Sequence, residues 1–191
     1  MTEFDELRSL LIADRTVRRY DGARRVEREE LLKMVELTRY CASGANMQPL
    51  RYRVVSAEDE CAHVFDQLAW AAYLKEWPGP CEAERPTGYL VQCLDTRIAK
   101  NCLCDDGLQL QAITLGATSL GLGCCIFKSF KREGLIAALG LPEHLEPRYV
   151  VAIGYPVEKV VIEPLTDSVK YYRTPDGVHH VPKRAPEDLI V

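Results

Sequence analysis

Three guanidinium groups and a hydroxyl fall within five positions, in Arg15-Thr16-Val17-Arg18-Arg19. Arginine presents planar donor forks that match phosphate oxygens, so this run has the chemistry to clamp a phosphate. Taken alone, it reads first as a solvated basic loop. A second basic pair, Lys183-Arg184, follows Pro182 near the C-terminus and carries the same two readings. Two separated cationic clusters could converge on one anion, but their spacing does not establish that they do. A third stretch, Ser43-Gly44-Ala45-Asn46-Met47-Gln48-Pro49, is dense in small and amide-bearing residues. Glycine lets a ligand approach the backbone, and Asn46 and Gln48 offer donors and acceptors to a polar heterocycle. The competing reading is a helix C-cap and turn. The fourth stretch begins Gly121-Leu122-Gly123 and runs into Cys124 and Cys125. It follows a helical pattern and precedes a strand, the reverse of the dinucleotide fingerprint, which excludes a Rossmann reading. What remains is a strand end whose backbone N–H groups could face a ligand.

Other chemistries lack their signatures. The chain has no GxSxG, HExxH or P-loop pattern, and His63, His144, His179 and His180 accompany no nucleophile motif. The cysteines are Cys41, Cys61, Cys81, Cys93, Cys102, Cys104, Cys124 and Cys125. Disulfide frameworks belong to small secreted chains, and neither Cys102-Leu103-Cys104 nor Cys124-Cys125 has the spacing of a paired zinc ligand set. Buried free thiols are the expectation. A net charge of −4 opposes a nucleic-acid or anionic-membrane partner. The N-terminus lacks the pattern of a secretory signal, and no apolar run approaches the roughly 18 residues of a membrane span. The expected location is cytoplasmic.

The elements that must position these residues follow from periodicity. Residues 3–13 carry Phe4, Leu7, Leu10 and Leu11 at helical spacing. Residues 27–42 predict a stronger helix, with Leu31, Leu32, Val35, Leu37 and Thr38 on or beside its apolar face and Glu27, Glu29 and Glu30 in its first turn. Strands are expected at 51–57, 88–95, 121–127 and 148–156, and helices at 58–77, 102–121 and 131–139. The helix over 102–121 is apolar on nearly all sides, which suits a central position or a subunit interface. The proline-bearing tail, 157–191, is expected to be disordered or wrapped over another surface, such as a partner subunit. The whole, 1–191, reads as one α+β domain.

Together these segments resemble the nitroreductase family of flavin proteins across nearly the whole chain. Arg15-Thr16-Val17-Arg18-Arg19-Tyr20 is similar to its R-S-x-R-x-F pattern, and ASGANMQPL to its P-S-x-x-N-x-Q-P-W/L segment. Gln111, then Gly121-Leu122-Gly123-Cys124, resembles its Q…GLG passage, and Ala152-Ile153-Gly154-Tyr155-Pro156 its G-Y/K-P strand. One branch also has WAGYLKDW, ERP and a YWRD…HHVPKR tail, matched here by WAAYLKEW at 70–77, Glu84-Arg85-Pro86, Tyr171-Tyr172-Arg173 and HHVPKR at 179–184.

The resemblance implies a central, mostly antiparallel sheet flanked by helices, in an intertwined homodimer with FMN at the subunit interface. It implies that Arg15, Thr16 and Arg18 meet the phosphate, ribityl chain and pyrimidine edge, and that Lys183 and Arg184 meet the phosphate. Ser43, Gly44 and Asn46, with Gln48 in the same bend, would come from the other subunit. Ile126, Phe127, Lys128 and Ser129 would lie against the isoalloxazine, with a backbone N–H near N5. The implied activity is hydride transfer from NAD(P)H through the flavin to a nitroaromatic, quinone or similar flat acceptor, with ping-pong kinetics. No protein residue is named as acid or base. An FMN storage or sensing protein, and a dehalogenating or flavin-degrading relative, are the alternatives. Three departures stand out: Thr16 where serine is usual, Asp14 where many members carry arginine, and Lys128 where glycine is common.

Overall fold

Strand β2 (Gly88–Asp95) is buried at every position. Successive side chains of a strand point to opposite faces, so such a run must lie between two covering layers. In the computed structural model, which describes residues 2–74 and 76–191, β2 pairs antiparallel with β1 (Leu50–Val55) and β4 (Leu145–Gly154). Strand β3 (Gly123–Phe127) pairs antiparallel with β4 and completes the order β1-β2-β4-β3. On one face, Tyr89, Val91 and Cys93 pack with Cys61 and Val64 of α3 (Glu58–Phe65) and Leu135 and Leu139 of α5 (Arg132–Leu139). On the other, Leu90 packs with Leu31 and Met34 of α2 (Arg28–Thr38) and Leu110, Ile113 and Ala117 of α4 (Asp105–Ser119). The result is the helix-flanked antiparallel sheet of the expected α+β class.

Three expectations need correction. Helix α2 ends at Thr38 rather than residue 42, because Arg39, Tyr40 and Cys41 bond back to carbonyls three residues earlier and tighten the chain into a turn. Its buried face is Leu31, Met34 and Thr38, while Leu32 and Leu37 are exposed. The helix expected over 58–77 stops at Phe65. Beyond it, Ala69 donates to the Ser129 carbonyl and Lys131 to the Gln67 carbonyl, so this segment pairs with the loop after β3. Trp70 turns inward against Phe65 and Phe127, at 5.5 and 4.7 Å between ring centroids. This partly buried aromatic packing takes the place of continued helix. Lys75, part of the same expectation, lies outside the described residues, as does Met1.

The tail folds into strands, and its Tyr171 and His179 pack against Arg18 of the same chain. Strands β5 (Val160–Pro164), β6 (Tyr172–Arg173) and β7 (His179–Lys183) form a second sheet of order β5-β7-β6. Helix α1 (Glu3–Ala13) is closed by a capping box in which Thr2 and Asp5 satisfy each other's backbone N–H groups. It buries no residue, and Phe4, Leu7 and Leu11 stand exposed on its surface. No helix among the described residues is long and apolar enough to cross a membrane.

Two glycines bring the N-terminal arginine segment onto the sheet. Gly123 and Gly154 face each other across β3 and β4. A Cβ at Gly123 would meet Val17 at 2.7 Å, and one at Gly154 would meet Tyr20 at 2.7 Å. Their hydrogens admit both side chains and let the Val17 N–H reach the Cys124 carbonyl at 2.8 Å. Thr16 thereby extends the sheet edge as a parallel bridge to Cys124.

Candidate functional site

That edge forms the floor of a cleft of about 350 Å³, between the end of α1, helix α4 and the second sheet. Arg15, Thr16, Arg18, Ile126 and Lys183 line it, so five of the residues singled out from the sequence meet in one place. Arg15 donates to the Leu11 carbonyl at 2.7 Å, but its Nε is buried with no partner. Ile126 alternates out of the sheet and is 41% exposed, presenting an apolar surface to the cleft.

Arg18 is held from three sides. Its backbone N–H donates to the buried Glu158 carboxylate, which also accepts from Arg173 at 2.8 Å. Its guanidinium lies 4.6 Å over the Tyr171 ring and reaches His179 Nε2 at 3.3 Å. Arginine only donates, so Nε2 must accept, which puts the imidazole proton on Nδ1. Burial, then the charges of Arg18, Arg173 and His180, push the His179 pKa down to about 4. The ring is therefore neutral near pH 7 and does not oppose Arg18.

Asp14 brings a carboxylate into the same cleft, accepting from Gln111 Nε2 and Thr114 Oγ1, each at 2.7 Å. The Cys124 and Cys125 thiols stay protonated: burial raises the first well above its ordinary range and the second to about 12. All eight cysteines are free, five of them buried, with Cys41 half-buried and Cys81 and Cys104 exposed.

The remaining singled-out residues lie elsewhere in this chain. Phe127 points through the sheet into the opposite core and is 5% exposed. Lys128 extends to the Tyr149 ring, 5.7 Å from its centroid. Ser129 lends its carbonyl to Ala69, and Arg184 is exposed beyond the cleft. The bend with Ser43, Gly44, Asn46 and Gln48 contributes nothing to the arginine cleft. It is clamped to the start of α4: Asp105, 2% exposed, accepts from Ser43 Oγ at 2.6 Å and from the Gly44 N–H at 2.9 Å. Ser43 Oγ in turn accepts from the Gln48 N–H at 2.9 Å. These bonds hold Asn46 and Gln48 at φ 54° and 50°, in the left-handed region. Asp105 and Glu158 support the site without standing out in the sequence, and Tyr171 stands out only as part of the tail motif at 171–173. An acid in the first turn of a helix was the only signal for Asp105, and Glu158 gave none.

Known proteins share this architecture. Residues 13–85 and 102–155, more than half of the chain, match the Nitroreductase family. A Methanothermobacter thermautotrophicus protein, provisionally named NADH dehydrogenase/NAD(P)H nitroreductase, is 26% identical over 172 residues, covering 86% of this chain and 81% of its own length. A solved structure from Parabacteroides distasonis with the same provisional name matches at TM-score 0.68 and 24% identity, over 85% of this chain and 93% of that one. An FMN-dependent nitroreductase from Clostridium difficile R20291 matches at TM-score 0.62 and 20% identity, over 78% and 87% of the two chains.

Proposed function

The chain belongs to the nitroreductase family, and on that premise we propose that it is an FMN-dependent oxidoreductase passing reducing equivalents from NAD(P)H to a small flat acceptor, such as a nitroaromatic or quinone. The observation that carries this reading is the cleft in which Arg15, Arg18 and Lys183 converge, with Arg15 Nε buried and lacking an acceptor. A phosphate oxygen is an acceptor suited to such a donor, with Arg18 and Lys183 close by to balance its charge. Arg15, Thr16 and Lys183 would hold the phosphate and ribityl end. Arg18 would lie at the pyrimidine edge, where a fixed cation favours a ring that gains negative charge on reduction. Bound flavin supplies the hydride chemistry, and the protein supplies position and charge. Ile126 would offer its exposed side chain to the ring, while Phe127, Lys128 and Ser129 could take part only through backbone groups or side-chain rearrangement. Asp14 limits the positive charge on one side of the cleft.

A second copy of the chain would complete the site. Phe4, Leu7, Leu11 and Ile12 of α1 and Leu108 of α4 are exposed apolar side chains, the kind of surface that a partner covers. In such a dimer Ser43, Gly44, Asn46 and Gln48 of one chain would reach the arginine cleft of the other, and Arg184 would join the phosphate. Donor and acceptor would then share one open face in turn, which gives ping-pong kinetics. Eight unpaired cysteines suit a reducing, cytoplasmic setting. The test is FMN affinity and solution mass of the wild type and of an Arg18→Ala, Lys183→Ala double variant. Losing two charge-assisted bonds of about 1.5–3 kcal/mol each should weaken FMN by at least about 100-fold. Unchanged affinity in the folded variant contradicts the cleft assignment, and a flavin-loaded monomer contradicts the shared site.

A further inference from the structure

On the sheet face opposite the arginine cleft lies a larger one, about 650 Å³, between α3, the start of β2 and residues 82–87. Tyr89 lies at its base, fully buried, and its hydroxyl has no hydrogen-bond partner. Burial raises the phenol pKa well above its ordinary value, so this group is a standing proton donor without an acceptor. Arg85 lines the same cleft. Its guanidinium lies 4.1 Å over the Phe65 ring, and its Nε is buried without a partner. The adjacent acid, Glu84, is engaged by Arg19 through bonds of 2.7 and 2.5 Å, and Arg85 forms no ion pair among the described residues. A neutral phenol and a charged guanidinium, each with a buried donor atom that lacks a partner, thus belong to the lining of one cavity.

The walls narrow the choice of ligand. Ala62, Phe65, Pro86 and Ala83 make them largely apolar. The segment around Gly22 is fixed to the opposite wall by the Gly22 N–H to Ala83 carbonyl bond at 2.9 Å and the Tyr20 N–H to Glu84 carbonyl bond at 3.0 Å. Arg25, the other cation here, is already spent on the Ser56 carbonyl at 2.5 Å and on Glu58 at 3.8 Å. Asp21, Glu58 and Glu82 line the cleft as well and oppose any anion, so only a single negative charge seated directly on Arg85 suits it. We propose that this cleft binds a small organic monocarboxylate, with its carboxylate between Arg85 and Tyr89 and its apolar body against Phe65 and Pro86. The volume falls in the range of small-molecule pockets, about 300–1,000 Å³. The site owes nothing to the flavin reading and stands or falls separately.

The test titrates the full chain, with and without FMN, with 3-phenylpropionate, following amide chemical shifts and thermal unfolding. Expected are saturable binding with Kd of about 1 mM or tighter, shifts at Thr87 and Tyr89, and a raised Tm. Saturating FMN should leave the binding unchanged. Arg85→Gln should weaken it at least about tenfold through loss of the charged donor. Tyr89→Phe should weaken it several-fold while the unliganded variant unfolds at the wild-type temperature or above, since the change deletes an unsatisfied buried hydroxyl. Neither 3-phenylpropionamide nor inorganic phosphate should saturate. The proposal is overturned if the acid does not saturate, if the amide or phosphate binds as tightly, if FMN competes, or if both folded variants bind like wild type.

Discussion

Acidification should weaken this protein through one imidazole. In the unfolded chain His179 takes up a proton near pH 6.5. In the folded chain burial, with Arg18 and Arg173 close by, delays protonation until about pH 4. Between those values the unfolded state binds more protons, so stability is fully present above pH 6.5 and is lost as pH falls toward 4. A displacement of this size removes about 2 kcal/mol at pH 5 and about 3 kcal/mol once both states are protonated. His179→Gln keeps a side chain able to accept from Arg18 but does not titrate. Urea denaturation of both proteins at pH 7.5 and pH 5 isolates the effect, because every other side chain is common to the two. Wild type should lose about 2 kcal/mol more than the variant over that interval. An equal loss would refute the claim that a neutral His179 accepts from Arg18.

Two other substitutions probe how the cleft is built. Gly123→Ala places a methyl 2.7 Å from Val17; the resulting strain of about 1–3 kcal/mol should lower Tm by roughly 3–10 °C and weaken FMN binding, as measured by scanning calorimetry and flavin titration. A variant with wild-type Tm would show that the arginine segment does not need this close approach. Asp14→Asn keeps the acceptor for Thr114 while removing a charge, and it should tighten FMN by about fivefold, or about 1 kcal/mol. Equal or weaker binding would place the phosphate away from Asp14.

Much of the frame is legible because its residues speak locally. Strand β2 has the boundaries its apolar run predicts, 88–95, and α1 has those of its leucine spacing, 3–13. Local pattern misleads where a tertiary partner decides the backbone, as at Trp70, which trades helix for a place beside Phe127. The α1 spacing identifies an apolar face but cannot say what covers it. At the site, residues 15–19 announce their charge, whereas the group that orients Arg18 is Glu158, 140 residues away. The bend at 43–48 reads as a turn from its composition, but the Asp105 carboxylate that locks it belongs to another helix. Separation in sequence, more than weakness of the interactions, hides the supports.

The proposed function requires that the Arg15–Arg18–Lys183 cleft hold a redox-active flavin. The most direct measurement is the visible absorbance of FMN-reconstituted protein during anaerobic addition of NADH or NADPH, followed by a quinone. Expected are one bound FMN per chain, bleaching by at least one nucleotide, and recovery of colour with the quinone. Folded protein that takes up no FMN, or holds FMN that stays oxidised under both nucleotides, would contradict the proposed function.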